Sequence, residues 1–139
     1  MIIIDTNVIS EIMRKDPDPE VLAWSATAGR LHTTAITVAE VEYGLTRLPA
    51  GRRREQLTAA AAVVFAEFED MIVPFDARAA RRYGEIVAGR ESLGRPIATA
   101  DAQIAAICAS RQAGLATRNV ADFDVSGVSL INPWEGPSP

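Results

Sequence analysis

The stretch Ile2-Ile3-Ile4-Asp5-Thr6-Asn7 decides the fold class of this 139-residue chain. Its isoleucines form a β-branched apolar run, which is typical of a strand buried in a parallel sheet. Asp5 follows this strand directly, and the next residues turn into a helix whose apolar positions begin at Val8. The sequence therefore opens with a predicted strand, a carboxylate at its end and a helix.

The same alternation continues along the rest of the chain. Helices separate further strands, which are predicted at 31–36, 72–75, 115–117 and 128–131. Polar residues typical of N-caps are expected to start the helices, namely Asp18, Thr37, Asp76 and Thr99. The last long helix is expected to stop at Gly114, and residues 119–124 to form a polar loop or turn. Alternating strands and helices indicate an α/β protein with a mostly parallel sheet.

The length favours one domain, because domains most often hold about 100–150 residues. We expect a single domain over residues 1–135 and a loose tail at 136–139, where glycine and proline dominate. The start of the chain lacks a basic region before an apolar stretch, and no uncharged run approaches the roughly 18 residues of a membrane span. We therefore expect a cytoplasmic protein without membrane contact.

The composition excludes several classes of protein. The chain has 14 basic and 18 acidic residues, so a broad basic surface for nucleic acid is not expected. A P-loop needs Gly-Lys and a dinucleotide-binding fingerprint needs Gly-x-Gly, and the sequence contains neither. Cys108 and His32 are each the sole residue of their type, which excludes a disulfide framework and sites built from several histidines. His32 and Cys108 are therefore interpreted as structural residues.

Four acids lie just after predicted strands or on the first turns of predicted helices: Asp5, Glu40, Asp101 and Asp122. In parallel sheets, ligands bind beyond the carboxyl ends of the strands, so these four side chains could meet at one edge. Clustered carboxylates repel one another unless a cation is present, and hard oxygen ligands suit Mg²⁺ and Mn²⁺. Such a cation can align a phosphodiester and activate an attacking water. The pattern therefore predicts metal-dependent phosphodiester chemistry.

Each acid alone also has a structural interpretation. Asp5 could mark a turn, and the spacing Thr37-x-x-Glu40 matches a capping box. Asp101 could complement the positive end of its helix. Glu11, further along the first helix, could lie at the pocket rim or on a solvated face. Only the joint pattern of the four acids favours the functional interpretation.

The motifs resemble a known family. The matching pieces are 3–11 (IIDTNVISE), 35–40 (AITVAE), 97–106 (IATADAQIAA), 116–119 (ATRN) and 131–134 (INPW). They keep the order and spacing of PIN domains, and the chain most resembles the VapC-type toxins of bacterial toxin–antitoxin pairs, in their FitB-like branch. The resemblance implies a central, mostly parallel sheet with helices on both sides. It also implies a Mg²⁺- or Mn²⁺-dependent ribonuclease, a homodimer and a cognate VapB/FitA-like antitoxin.

The resemblance carries site roles onto particular residues. Asp5, Glu40 and Asp101 match metal ligands that take part in catalysis. Some relatives have an acid directly after the Thr-Arg pair, where this chain has Asn119, and others place it before a phenylalanine, as in Asp122-Phe123. Asp122 is therefore assigned as the fourth catalytic and metal-binding acid, with Asp124 as the fallback. The remaining positions expected at the site are three supporting polar residues and a candidate RNA phosphate contact, namely Asn7, Thr117, Asn119 and Arg118.

Two other functions compete with the nuclease. Asn119 motivates a binding module that keeps the PIN fold, has weak or no catalysis and acts through its antitoxin complex. A dehalogenase-like phosphatase would need an acid where Asn7 stands and a lysine late in the chain, but Lys15 is the sole lysine. Trp24 and Trp134 are expected to be packing residues.

Overall fold

A computed structural model describes residues 1–124 and 126–137. Its strands are β1 (Ile2–Ile4), β2 (Leu31–Thr34), β3 (Ile72–Val73), β4 (Gly114–Ala116) and β5 (Leu130–Ile131). Its helices are α1 (Thr6–Ile12), α2 (Pro19–Thr27), α3 (Ala35–Thr46), α4 (Arg52–Glu67), α5 (Ala77–Ser92), α6 (Thr99–Arg111) and α7 (Val120–Phe123). Short 3₁₀ turns cover Glu69–Met71 and Pro133–Glu135.

The described strands form one sheet in the order β3-β2-β1-β4-β5, and each neighbouring pair is parallel. The chain builds outward from β1, first to β2 and β3 on one side and then to β4 and β5 on the other. The carboxyl end of β1 is therefore the point where the strand order reverses, which is where ligands bind in sheets of this kind. The predicted α/β class is confirmed.

Helices cover both faces of the sheet. Successive residues of a strand point to opposite faces, so Ile3 and Ile4, both fully buried, enter different cores. Ile3 packs in a cluster with α5 and α6, represented by Ile86 and Ile104. Ile4 packs in a second cluster built from α1, α2, α3 and α4, namely Val8, Ile9, Val21, Trp24, Val41, Leu45, Ala61 and Val64. The sheet is thus the middle layer of three, as the family resemblance implies.

The predicted start of α3 is wrong by three residues. Strand β2 ends at Thr34, and Thr34, not Thr37, is the N-cap, because its hydroxyl accepts from the Thr37 N–H at 3.0 Å. Thr34 is the last residue of β2 paired with β3, and Pro74 follows that pair with no N–H to extend the ladder. The chain therefore enters the helix earlier than the Thr37 spacing indicates.

Helix α6 also departs from its predicted ends. Ala98 occupies the N-cap position in place of Thr99, without a side-chain hydrogen bond. The helix stops at Gln112, which adopts the left-handed conformation with φ 53°, so Gly114 is free to begin β4 opposite Ile2. The N-caps predicted at Asp18 and Asp76 are confirmed, with each side chain accepting a backbone N–H.

Smaller differences affect the end of the chain and the edge strands. Residues 119–124, predicted as a loop or turn, contain the short helix α7. Strands β3 and β5 hold two residues each instead of the predicted four. Of the tail predicted at 136–139, residues 138 and 139 lie outside the described residues. Among the described helices, none combines the length and the apolar character needed to cross a membrane.

Candidate active site

Asp5 is the most firmly held acid of the site. It follows β1, caps α1 and is 4% exposed. Its Oδ1 accepts the Thr6 N–H at 2.8 Å, and its Oδ2 accepts the Thr117 hydroxyl at 2.8 Å and the Asn7 amide at 3.2 Å. These donors fix both oxygens, so Asp5 presents a single orientation at the carboxyl edge of the sheet.

The supporting polar residues join β4 to the first turn of α1. The Asn7 amide donates to the Thr117 hydroxyl at 3.2 Å, and its Oδ1 accepts the Arg118 N–H at 3.2 Å. The Thr117 hydroxyl also accepts the Asn119 N–H at 3.0 Å. Thr117 is fully buried, whereas Asn119 and Arg118 are exposed. The chain leaving β4 is therefore held against Asp5 by side chains from two strand ends.

Glu40 reaches the site from α3. Its Oε1 accepts the Thr6 hydroxyl at 2.7 Å, and that hydroxyl also lies 3.1 Å from the Thr37 hydroxyl. Because Thr34 is the cap of α3, Glu40 does not complete a capping box with Thr37. The capping interpretation of Glu40 is therefore wrong, and its carboxylate faces the first turn of α1.

Asp101 lies on the first turn of α6 and is partly buried. Burial raises its pKa to about 6, and the charges of Asp5, Glu40 and Asp122 act in the same direction. Burial also raises the pKa of Asp5, against hydrogen bonds from Thr117 and Thr6, with Glu40 and Asp122 adding to the increase. The four predicted acids are thus close enough to repel one another electrostatically.

Asp122 and Asp124 occupy different surroundings at the end of α7. Asp122 is exposed, and its charge raises the pKa of both Asp5 and Asp101. Asp124 is also exposed, but its Oδ2 lies 3.4 Å from Arg95 Nη1 and it is not among the charges that raise those two pKa values. This geometry favours Asp122 over Asp124 as the fourth acid, a role that stays a prediction.

A cleft of about 550 Å³ opens above the strand ends. Asp5, Glu40 and Asp101 line it, and Asp122 lies outside its lining. The predicted residues Asn7, Asn119 and Arg118 also line the cleft, together with Thr6, Ser10, Glu11, Arg14 and Trp134. The predicted site residues on four separate segments therefore meet at one place, apart from Asp122 at the margin.

The rim contains Glu11, which the sequence left open between the rim and a solvated face, and two residues that the sequence did not assign to the site, Arg14 and Trp134. Glu11 is 6% exposed and pairs with Arg14 at 3.0 Å, which places Glu11 at the rim and not on a solvated face. The Arg118 guanidinium lies 5.0 Å from the centroid of the Trp134 ring. Trp134 packs against the second core cluster, as expected, and also lines the cleft. The Glu11–Arg14 spacing on one helix could have indicated their pairing, whereas no sequence pattern places Trp134 here.

The donor chemistry of the cleft fits a divalent cation. Carboxylate oxygens are the ligands that Mg²⁺ and Mn²⁺ prefer, and a bound cation would offset both the burial and the neighbouring negative charges that raise the pKa of Asp101. Within residues 1–124 and 126–137, no group of three Asp, Glu, His or Cys side chains is positioned to hold a metal ion together. A cation in this cleft would therefore rest on one or two carboxylates and several waters, which is how proteins often bind Mg²⁺.

The two candidates treated as structural lie away from the cleft. Cys108 is fully buried in the first core cluster, and burial raises the pKa of its thiol to about 12. His32 lies on β2, where burial is the main cause of its lowered pKa. Neither side chain lines the acidic cleft.

The three-layer fold and the acidic cleft at its switch point define the class of protein. Residues 2–125 match the PIN domain family, and the chain belongs to that family. It is 39% identical over 138 residues to the VapC ribonuclease Y4jK of Sinorhizobium fredii, with 97% of this chain and 99% of that protein covered.

Two further comparisons extend this result. The chain is 36% identical over 140 residues to the toxin FitB of Neisseria gonorrhoeae, with 96% of this chain and 99% of the toxin covered. A solved structure of FitAB bound to an IR36 DNA fragment contains a chain that superimposes with a TM-score of 0.87 at 35% identity, covering 96% of each chain. The resemblance to VapC and FitB toxins drawn from the motifs is confirmed.

Proposed function

We propose that this chain is the toxin of a type II toxin–antitoxin pair and a Mg²⁺- or Mn²⁺-dependent endoribonuclease. The observation that carries this proposal is the convergence of Asp5, Glu40 and Asp101 on one cleft at the carboxyl edge of the sheet. Relatives that match over nearly their full length support it, because they include a VapC ribonuclease and the toxin FitB.

The residues of the cleft have two proposed roles, holding the cation and positioning the side chains that hold it. Asp5, Glu40 and Asp101 would hold the cation, with Asp122 adding negative charge from the margin. Once bound, the cation supplies charge to the phosphodiester and lowers the pKa of an attacking water. Thr117 and Asn7 hold the Asp5 oxygens in place, as the outer partners of metal-binding side chains do.

Arg118 is the candidate contact for an RNA phosphate. It lines the cleft, and in the described residues it makes no ion pair with a carboxylate. Its guanidinium lies against the Trp134 ring, which leaves the edge of the guanidinium fork open to an oxyanion. Arg14, the other arginine of the rim, is already paired with Glu11.

The proposed partners follow from the relatives and from charge. We propose a homodimer that joins a cognate VapB/FitA-like antitoxin in a hetero-oligomer, and the solved structure of FitAB supports the pairing with an antitoxin. An acidic cleft attracts cationic side chains, so a basic segment of the antitoxin suits this surface. The cell compartment proposed for the complex is the cytoplasm.

A catalytically weak or inactive binding module is the second candidate. Asn119 favours it, because a carboxamide lines the cleft where some members of the family carry an acid. The three intact acids favour the nuclease instead, since a module without catalysis has no need to accumulate repelling carboxylates.

Incubation of antitoxin-free protein with total bacterial RNA tests the proposal. Reactions contain Mg²⁺, Mn²⁺ or EDTA, and Asp5→Asn and Asp101→Asn are compared with the wild type. Glu42→Gln is the matched control, because Glu42 is an exposed carboxylate on the same helix as Glu40. Discrete metal-dependent fragments from the wild type and the control, absent from both Asn variants, are expected. Intact RNA from folded, metal-loaded wild type would favour the binding module.

A further inference from the structure

Arg90 is a buried arginine that the proposed mechanism does not use. It lies in the last turn of α5 and is 4% exposed. Burying a guanidinium is costly unless its N–H groups are hydrogen-bonded, and hydrogen bonds to a charged donor are the stronger kind. The hydrogen bonds of Arg90 therefore show which groups compensate for its burial.

The guanidinium binds backbone carbonyls of the segment that follows β4. Its Nη1 donates to the carbonyl oxygens of Asp122 at 2.8 Å and Asp124 at 3.0 Å. Its Nε donates to the carbonyl oxygen of Arg95 at 2.7 Å. In the described residues these three acceptors are all backbone oxygens, and the Arg90 charge lowers the pKa of Asp101.

Residues 119–124, here called the α7 corner, are also held by the Asn119 N–H on the Thr117 hydroxyl and by Arg95, which reaches the Ala121 carbonyl and the Asp124 carboxylate. Phe123 is buried in the first core cluster, but α7 is only four residues long and the Asp122 side chain is exposed. A helix this short has no stability of its own, since even 12-residue helices are marginal without packing. Fixing two carbonyls two residues apart restricts the backbone that carries the Asp122 carboxylate.

We propose that Arg90 is a positioning residue whose bonds to the Asp122 and Asp124 carbonyls hold the backbone that carries the Asp122 carboxylate, whose charge acts on Asp5 and Asp101, and so set the affinity of the cleft for a divalent cation. The inference rests on the proposed function, because it assumes that the cleft binds Mg²⁺ or Mn²⁺. It adds a residue from a helix that contributes no acid to the cleft.

The fork of the guanidinium is essential to this role. Lysine would keep the positive charge near Asp101 but carries its donors on one compact ammonium group, which does not reproduce the planar fork. Arg90→Lys therefore separates positioning from charge. If charge alone mattered, Arg90→Lys would behave as the wild type.

Titration of the whole chain with Mn²⁺, without RNA, tests the proposal by calorimetry or by the loss of the free Mn²⁺ resonance signal. The variants are Arg90→Gln, Arg90→Lys, Asp122→Asn and the two double variants with Asp122→Asn. Arg82→Gln is the matched control, because Arg82 is an exposed arginine of the same helix, paired with Glu85. Thermal melts without metal report whether each variant is folded.

Arg90→Gln, Arg90→Lys and Asp122→Asn are each expected to weaken Mn²⁺ binding about tenfold, the lower end of the range for partners of metal-binding residues. Arg82→Gln is expected to bind as the wild type. In the Asp122→Asn background the Arg90 substitutions are expected to have no further effect, because their target is already gone. A loss of stability unrelated to Asp122 would not give this dependence.

Wild-type affinity in the Arg90 variants, or an equal loss with and without Asp122→Asn, would overturn the inference and leave the proposed function standing. Failure of both Arg90 variants to fold would also overturn it, because Arg90 would then serve the fold as a whole. Absence of Mn²⁺ binding by the folded wild type would instead contradict metal dependence in the proposed function, and the inference with it.

Discussion

Two corners of the acidic cleft carry the same kind of side chain but hold it by different means. In the strand corner, formed by Asp5, Asn7 and Thr117, two buried side chains and the half-buried Asn7 bond one another across two strand ends. In the α7 corner, an arginine from α5 holds backbone carbonyls, and the Asp122 carboxylate itself is exposed. The strand corner fixes carboxylate atoms directly, whereas the α7 corner fixes only the chain that carries the carboxylate. We therefore expect the strand corner to dominate function.

Asp5→Asn should have the largest effect, because it removes a charge from the most tightly held acid. RNA cleavage is expected to fall by more than about 100-fold, beyond the 10–100-fold usual for outer partners of a metal site. The amide keeps the shape of the side chain and removes the cost of burying a charge, but its NH₂ group cannot accept the bonds of the oxygen it replaces, so the melting temperature should change little. Residual cleavage near the wild-type level would show that the strand corner is not the centre of the reaction.

Thr117→Val tests the strand corner without touching an acid. Valine keeps the shape but removes the hydroxyl that donates to Asp5 and accepts from Asn7 and Asn119. Activity is expected to fall about 10- to 100-fold, and the free energy of unfolding by about 1–3 kcal/mol as buried partners lose their bonds. Cleavage rates and urea denaturation measure the two effects.

Thr58→Val is the control for this substitution, since Thr58 is exposed on α4. It should leave both quantities near their wild-type values. If Thr117→Val lowered stability alone, Asp5 would not depend on Thr117 for its orientation.

Asp122→Asn against Asp124→Asn tests the α7 corner. The Asp122 charge reaches Asp5 and Asp101, whereas Asp124 lies beside Arg95. We expect about a tenfold loss of cleavage for Asp122→Asn, a smaller effect than in the strand corner, and little change for Asp124→Asn. Cleavage rates at several Mg²⁺ concentrations measure this, and the reverse ranking would make Asp124 the fourth acid.

The sequence predicts the strand corner better than the α7 corner, for a physical reason. Asp5 stands at a local signal, the end of a buried strand, which is visible within a few residues. The α7 corner depends on Arg90, which lies 32 residues from Asp122 and, within residues 1–124 and 126–137, donates its hydrogen bonds to backbone oxygens only. Every residue type carries the same backbone carbonyl, so the residues that accept these bonds need not be of any particular type. No pattern of side chains in the sequence could therefore reveal this contact.

The N-cap of α3 shows a different limit. Thr34 and Thr37 are equally good capping residues three positions apart, so local propensity does not choose between them. The choice depends on where β2 stops pairing with β3, and Pro74 sets that point from a distant part of the chain. The class and order of the elements were predictable because they follow from local periodicity, and this boundary was not.

The pH dependence of stability without metal gives the smallest predicted effect. The pKa of Asp101 is raised above 3.8 to about 6, so the folded protein binds more protons than the unfolded chain between these values. Stability in EDTA should therefore fall as the pH rises toward about 6 and level off above it. The effect is on the order of 1 kcal/mol, after a discount for the solvent that screens a partly exposed carboxylate.

The contribution of Asp101 is isolated by the difference in free energy of unfolding between the wild type and Asp101→Asn, measured by urea denaturation from pH 5 to 7.5. His32 titrates in the same range with the opposite sign, because its lowered pKa makes the fold more stable as the pH rises. That contribution is common to both proteins and cancels in the difference. As the pH rises, the free energy of unfolding of Asp101→Asn should increase relative to that of the wild type. Saturating Mg²⁺ should instead stabilise the wild type relative to the variant, because a cation binds the ionised carboxylate. A difference in the free energy of unfolding that does not change with pH would contradict the raised pKa of Asp101. The charges of Asp5 and Asp122, one from each corner, would then not act together on Asp101.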